Sequence, residues 1–131
     1  MPDRQRYWLE QMAREIEAAR RLATVHTWDS LFADEVARAA LERFIERISE
    51  ASRRLDPALK ACEPAIPWSD IAGIGNILRH NYDRVDPILL WNILTVDLPE
   101  LADAVRRLLA RREPSAWPPL TPTRSSPAAC W

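Results

Sequence analysis

Apolar residues recur at steps of three and four along most of this chain, with arginine and glutamate filling the positions between them, a rhythm that predicts helices. Leu9, Met12, Ile16, Ala19 and Leu22 form one such stripe and predict an amphipathic helix over about residues 3–23. Val36, Ala40, Phe44, Ile48, Ala51 and Leu55 form a second. That rhythm runs to Pro57, whose missing N–H and bulky ring are expected to end the helix. Between the two, residues 24–32 supply cap residues together with Trp28 and Phe32, which predicts a short helical corner.

The stretch 61–68 carries Pro64 and Pro67 and is expected to be irregular. A third helix should begin near Pro67 or Ser69, because proline is tolerated in a first turn and Ser69 and Asp70 complement the helix dipole. It is expected to end near Tyr82. Asp86 and Pro87 then read as cap and first residue of a short, nearly all-apolar helix over 88–95. A segment so apolar must be buried on most sides, in this chain or against another. A last helix opens with Asp97 as cap and Glu100 three residues later, and carries Leu98, Leu101, Val105 and Leu108 on one side. The fold class expected is all-α, an antiparallel four-helix bundle with a short extra helix. From residue 113 the rhythm stops: five prolines and small polar residues predict a flexible tail over 113–131, following a helical domain over 1–112. Trp117 and Trp131 could anchor that tail on a partner or on the bundle.

With 131 residues, 47% hydrophobic and 28% charged, the chain fits one globular domain able to bury a core without disulfides. Its apolar runs are too short to cross a bilayer, its start reads as a charged helix rather than a signal peptide, and Cys62 and Cys130 form no disulfide framework. A cytoplasmic protein without a membrane partner is expected. A net charge of −1 argues against nucleic-acid binding over a broad face, and leaves room for a local basic groove. Lys60 is the single lysine, so the positive charge is almost all arginine, which suits forked contacts to phosphate; a coding bias towards arginine gives the same skew. His26, His80, Cys62 and Cys130 show no ligand spacing, so no metal is expected.

Asn76 and His80 stand one helical turn apart, Tyr82 follows, and the chain's only glycines, Gly73 and Gly75, come just before. That composition suits close backbone approach beside a titratable ring. Each residue also has a plain structural reading: His80 satisfying a terminal carbonyl of its helix, Asn76 a core or capping amide, Tyr82 an interface aromatic. His26 reads as a cap or surface residue.

In its order of helices and in the landmarks Ile66-Pro67-Trp68, Asn76, His80-x-Tyr82 and Asp97-Leu98-Pro99, the chain resembles the HepT-like branch of the HEPN superfamily from about residue 4 to about 112. The resemblance implies a toxin of a type VII-like HEPN/MNT toxin–antitoxin pair, a metal-independent ribonuclease without cofactor. It further implies a homodimer, an RNA substrate and a cognate MNT-type nucleotidyltransferase antitoxin, which would attach AMP at Tyr82. RNA carries its own nucleophile, the 2′-hydroxyl, so cleavage needs a base, an acid and positive charge on the phosphate. His80 suits the proton transfers. Arg79 or Arg84 would hold the phosphate, and Asn76 would orient ring or phosphate by hydrogen bonding.

The family motif places an arginine with four to six residues between it and the histidine, and here those positions are Gly75, Ile74 and Gly73. Arg79 is adjacent to His80, and successive helical residues point about 100° apart, so it does not simply take the missing arginine's place. The alternative is a non-catalytic HEPN module that binds a nucleotidyltransferase or a nucleotide and lost cleavage with Gly75. A purely structural dimerisation module is the third reading.

Overall fold

Helix α1 (Asp3–Val25) turns its Leu9, Met12 and Ile16 stripe inward, and all three are buried. The computed structural model describes residues 1–80 and 86–111. Those residues hold helices and connecting turns and no strand. At the corner after α1, Thr27 caps α2 (Trp28–Ala33) through a reciprocal pair with Ser30. His26 is the C-cap of α1, its backbone N–H bonding to the Leu22 carbonyl, and its ring lies 3.1 Å from the Ser30 hydroxyl. Asp34 then caps α3 (Glu35–Arg53) by accepting from the backbone of Val36 and Ala37.

Pro57 does not end α3. The helix stops at Arg53, and Pro57 instead opens a separate short helix, α4 (Pro57–Lys60). The reason lies on α1: buried Gln5 donates to the Arg54 carbonyl at 3.2 Å and accepts from the Asp56 N–H at 2.7 Å. A side chain on a neighbouring helix thus takes the polar groups that another turn of α3 would have used. Across residues 61–67 the chain is irregular as expected, and the Trp68 indole N–H pins it to the Lys60 and Glu63 carbonyls, each at 3.1 Å.

Helix α5 (Trp68–His80) packs on α3, which packs in turn on α1. Beyond residues 81–85, the Asp86 carboxylate accepts from Ile88 N–H at 2.9 Å and caps α6 (Pro87–Asn92), as the sequence predicted. The chain then stays helical without a break through a π-helical turn, Ile93–Asp97, into α7 (Leu98–Ala110). Asp97 is therefore no cap. Its backbone is helical and its side chain caps nothing, because the N–H groups ahead of it already reach back to the preceding turn; Leu98 N–H bonds to the Ile93 carbonyl. The wider turn carries Ile93 and Leu94 into the core beside Leu90.

The four long helices α1, α3, α5 and α7 form the expected all-α bundle around Leu9, Met12, Ile16, Leu41, Ile45, Leu78, Leu94 and Leu108. The 88–95 segment is buried along one side only: Ile88 is 58% and Leu89 40% exposed. The expected end of the third helix at Tyr82 and the proposed tail over 113–131 lie outside the described residues.

Candidate active site

Helix α5 meets α3 through glycine. Gly75 is buried against Ser49, and a Cβ built on residue 75 would stand 2.8 Å from the Ser49 hydroxyl oxygen and 2.9 Å from its Cβ. The Ser49 hydroxyl donates to the Ala72 carbonyl at 2.9 Å and accepts from the Gly75 N–H at 3.2 Å. Gly73, by contrast, faces open space. The close approach of backbone that the two glycines suggested is thus real at Gly75, and its partner is a neighbouring helix.

Ala72, Asn76, Arg79 and His80 stand at i, i+4, i+7 and i+8 and so form one stripe along α5. Asn76, Arg79 and His80 are all exposed. Arg79 reaches back one turn, as long helical side chains do, and its Nη2 donates to Asn76 Oδ1 at 3.4 Å. Its guanidinium therefore lies over the turn that contains Gly75. His80 occupies the last described turn of α5, next to that pair. Tyr82 and Arg84, the other two candidates from the sequence, lie outside the described residues.

At the start of the stripe stands a residue that sequence reasoning missed. Arg53 of α3 crosses to α5, donating from Nη1 to the Ala72 carbonyl at 2.6 Å and to the Ser49 hydroxyl at 3.2 Å, and from Nη2 to Glu50 at 2.6 Å. Glu50 also bridges Arg54 at 2.9 Å, and the two guanidiniums hold its carboxyl below the ordinary glutamate range. The sequence signal was there in principle. Ser49 and Arg53 sit one turn apart on α3, but only the register between α3 and α5 brings them under the glycines.

The opposite flank of α5 is apolar. Ile71, Ile74 and Ile77 face Leu89, Ile93 and Leu98 across a groove of about 550 Å³ floored by Ile45 and Ile48. Asp97 stands on its rim, where apolar surroundings and the charge of Glu100 push its carboxyl above the ordinary value. Among the described residues no cluster of histidine, cysteine, aspartate or glutamate could hold a metal ion, and no helix is long and apolar enough to cross a membrane.

The model of the family described as "Ribonuclease HepT-like" matches residues 12–108, which takes in all of α3 and α5, the larger part of α1 and α7, and the whole Asn76–His80 stripe. The chain belongs to the HepT-like ribonuclease family. It is similar to "Probable ribonuclease HepT" of Thermococcus cleftensis, 30% identical over 101 residues that cover 77% of this chain and 92% of the relative. A candidate RNase of Methanocaldococcus jannaschii is 38% identical over 72 residues, 55% of this chain and 66% of the relative. Another, from Caldanaerobacter subterraneus subsp. tengcongensis, is 27% identical over 108 residues, 82% of this chain and 96% of the relative. No solved structure matches the chain.

Within this HepT-like fold the described stripe offers an imidazole, a guanidinium and a carboxamide on one solvent-facing surface. These are groups that move a proton, balance phosphate charge and orient a hydrogen bond. In this member, the place a side chain on residue 75 would take is filled by Ser49.

Proposed function

We propose that this chain is the toxin component of a type VII-like HEPN/MNT toxin–antitoxin pair, a metal-independent ribonuclease acting through His80. The observation that carries the reading is the contact between Arg79 and Asn76, 3.4 Å, on the turn next to His80. It holds a guanidinium able to bind phosphate on the stripe of α5 that ends at His80, although position 75 is a glycine. In the reaction His80 takes the proton of an RNA 2′-hydroxyl, whose oxygen then bonds to the adjacent phosphorus. The bond from phosphorus to the 5′-oxygen breaks, and that oxygen leaves with a proton from a second acid. The products are a 2′,3′-cyclic phosphate and a 5′-hydroxyl end.

A homodimer would provide base and acid as two copies of His80, and would gather the arginines around one strand. Arg84 would add charge on the substrate phosphate. A cognate nucleotidyltransferase would silence the site by placing AMP on Tyr82, adding bulk and negative charge beside the histidine. The catalytic unit spans residues 1–112, with 113–131 as a Pro-rich tail.

Gly75 favours one other reading, a HEPN module that binds its partner without cutting RNA. Induced expression of wild type and His80→Ala in bacteria, without any partner, separates the two. Growth arrest and RNA breakdown with wild type, and neither with a folded His80→Ala, supports the ribonuclease. Two harmless, folded proteins leave the binding module.

A further inference from the structure

The stripe that begins at His80 continues away from it along the seam of α3 and α5, through Arg79 and Asn76 to Ala72. There Arg53 closes it. From Ala72 to His80 the helix rises about 12 Å, a separation that a few nucleotides of extended single strand bridge. Arg53 has its fork fixed from three sides, by the Ala72 carbonyl, the Ser49 hydroxyl and Glu50. Its side chain is still 32% exposed. Those bonds use three of the five guanidinium N–H donors, so two are left for a ligand. Its acid is shared as well, since Glu50 also bonds Arg54, so the cluster keeps an excess positive charge. A guanidinium held in place by backbone and hydroxyl, with donors to spare, gives up little freedom when it binds phosphate.

We propose that Arg53 is a second phosphate contact, holding the backbone of single-stranded RNA at a nucleotide upstream or downstream of the bond presented to His80. This rests on the ribonuclease reading of that stripe. Arg53 touches no reacting atom in this scheme; it sets how tightly and in which register the strand lies. Asn76 and Arg79, between the two ends, line the track.

The test uses the full chain and a labelled single-stranded RNA of about twelve nucleotides, within the site sizes of single-strand grooves. Binding is followed by anisotropy over a salt series and cleavage by initial rates, for wild type, Arg53→Gln and Arg53→Lys, with circular dichroism and thermal midpoints as the check on folding. The expected result for Arg53→Gln is a rise in Kd and KM of roughly fivefold to tenfold at unchanged kcat, with the slope of log K against log salt shallower by about 0.7. Arg53→Lys keeps the charge and most of the salt slope, and a dinucleotide substrate, whose single phosphate is the one cleaved, is cleaved equally by all three. An unchanged salt slope in Arg53→Gln, or an Arg53→Lys that behaves like it, would overturn the proposal and leave Arg53 as a tie between helices. Wild type that binds RNA and leaves it intact would sink the ribonuclease reading alone, since the slopes still report on Arg53. Wild type that does not bind RNA would overturn both.

Discussion

Ser49 occupies, from α3, the space that any side chain on Gly75 of α5 would need. A Cβ at residue 75 would lie 2.8 Å from the Ser49 hydroxyl oxygen, closer than real Cβ contacts come, and the same hydroxyl holds α5 through the Ala72 carbonyl and the Gly75 N–H. Gly75→Ala therefore overpacks the helix crossing. The expected loss is about 1–3 kcal/mol by chemical denaturation, and Ser49→Gly in the same chain should recover part of it. Restoring the family arginine by Gly75→Arg is expected to cost at least as much stability and not to raise RNA cleavage above wild type. A Gly75→Arg protein as stable as wild type would show that the crossing opens freely and would refute this account.

Most of the architecture was legible in the chain because burial imposes a period. Leu9, Met12 and Ile16 on α1, or Leu101, Val105 and Leu108 on α7, face the core as their spacing required. Where the reading failed, the deciding group lay elsewhere in the fold. Nothing local to Pro57 says that Gln5, about fifty residues earlier, will end α3 ahead of it, and nothing local to Asp97 says that a π turn will carry helix straight through a cap signature. In the candidate site, Asn76, Arg79 and His80 share a stripe because helical geometry puts them there. Arg53 and Ser49 escaped notice because their role depends on the register of two helices, which a sequence does not display.

Gln5 is a single side chain that completes two backbone groups at the end of α3. Gln5→Ala leaves the Arg54 carbonyl and the Asp56 N–H without this partner in a part-buried site. The expected cost is about 1–3 kcal/mol. Urea unfolding should show a lower midpoint at unchanged slope, since the folded and unfolded surfaces stay the same. A midpoint within error of wild type would mean that water replaces the amide without penalty.

Asp97 makes the stability depend on pH in a definite direction. Apolar surroundings, and then the charge of Glu100, raise its carboxyl above the ordinary value of 3.8, so folding favours the protonated form. Its favourable contribution is complete below the unfolded pKa and is lost as pH rises through the higher folded one. Asp97→Asn, which cannot ionise, should thus have a higher thermal midpoint than wild type at about pH 7, and the gain should vanish near pH 3. A gain that persists unchanged in acid would point to packing rather than charge.

Ile88, Leu89 and Val96 leave an apolar strip exposed along α6 and the π turn, with Ile77 exposed across the groove. A second copy of the chain is the cover that the homodimer proposal supplies for these exposed apolar side chains. Ile88→Glu is expected to keep the helical circular dichroism of wild type and to sediment as a monomer where wild type sediments as a dimer. An Ile88→Glu dimer as tight as wild type places the interface on another face.

Arg79 is the residue whose role Gly75 makes most informative. If it supplies the phosphate charge from one turn further along α5, Arg79→Gln removes an interaction that strengthens as the transition state gathers charge, and kcat should fall by about 10² to 10³. Stability should hardly move, because the side chain is exposed and the partner it reaches among the described residues is the exposed Asn76. Asn76→Ala tests the tether rather than the charge: it frees Arg79 without removing it, and the expected loss of kcat is smaller, on the order of tenfold. The pair is decided by a double-mutant cycle on cleavage rates. Effects that merge in the double mutant, so that adding Asn76→Ala to Arg79→Gln costs nothing more, tie the carboxamide to the guanidinium. Effects that simply add would mean that Asn76 contacts the RNA on its own, and that the 3.4 Å contact between the two side chains has no part in cleavage.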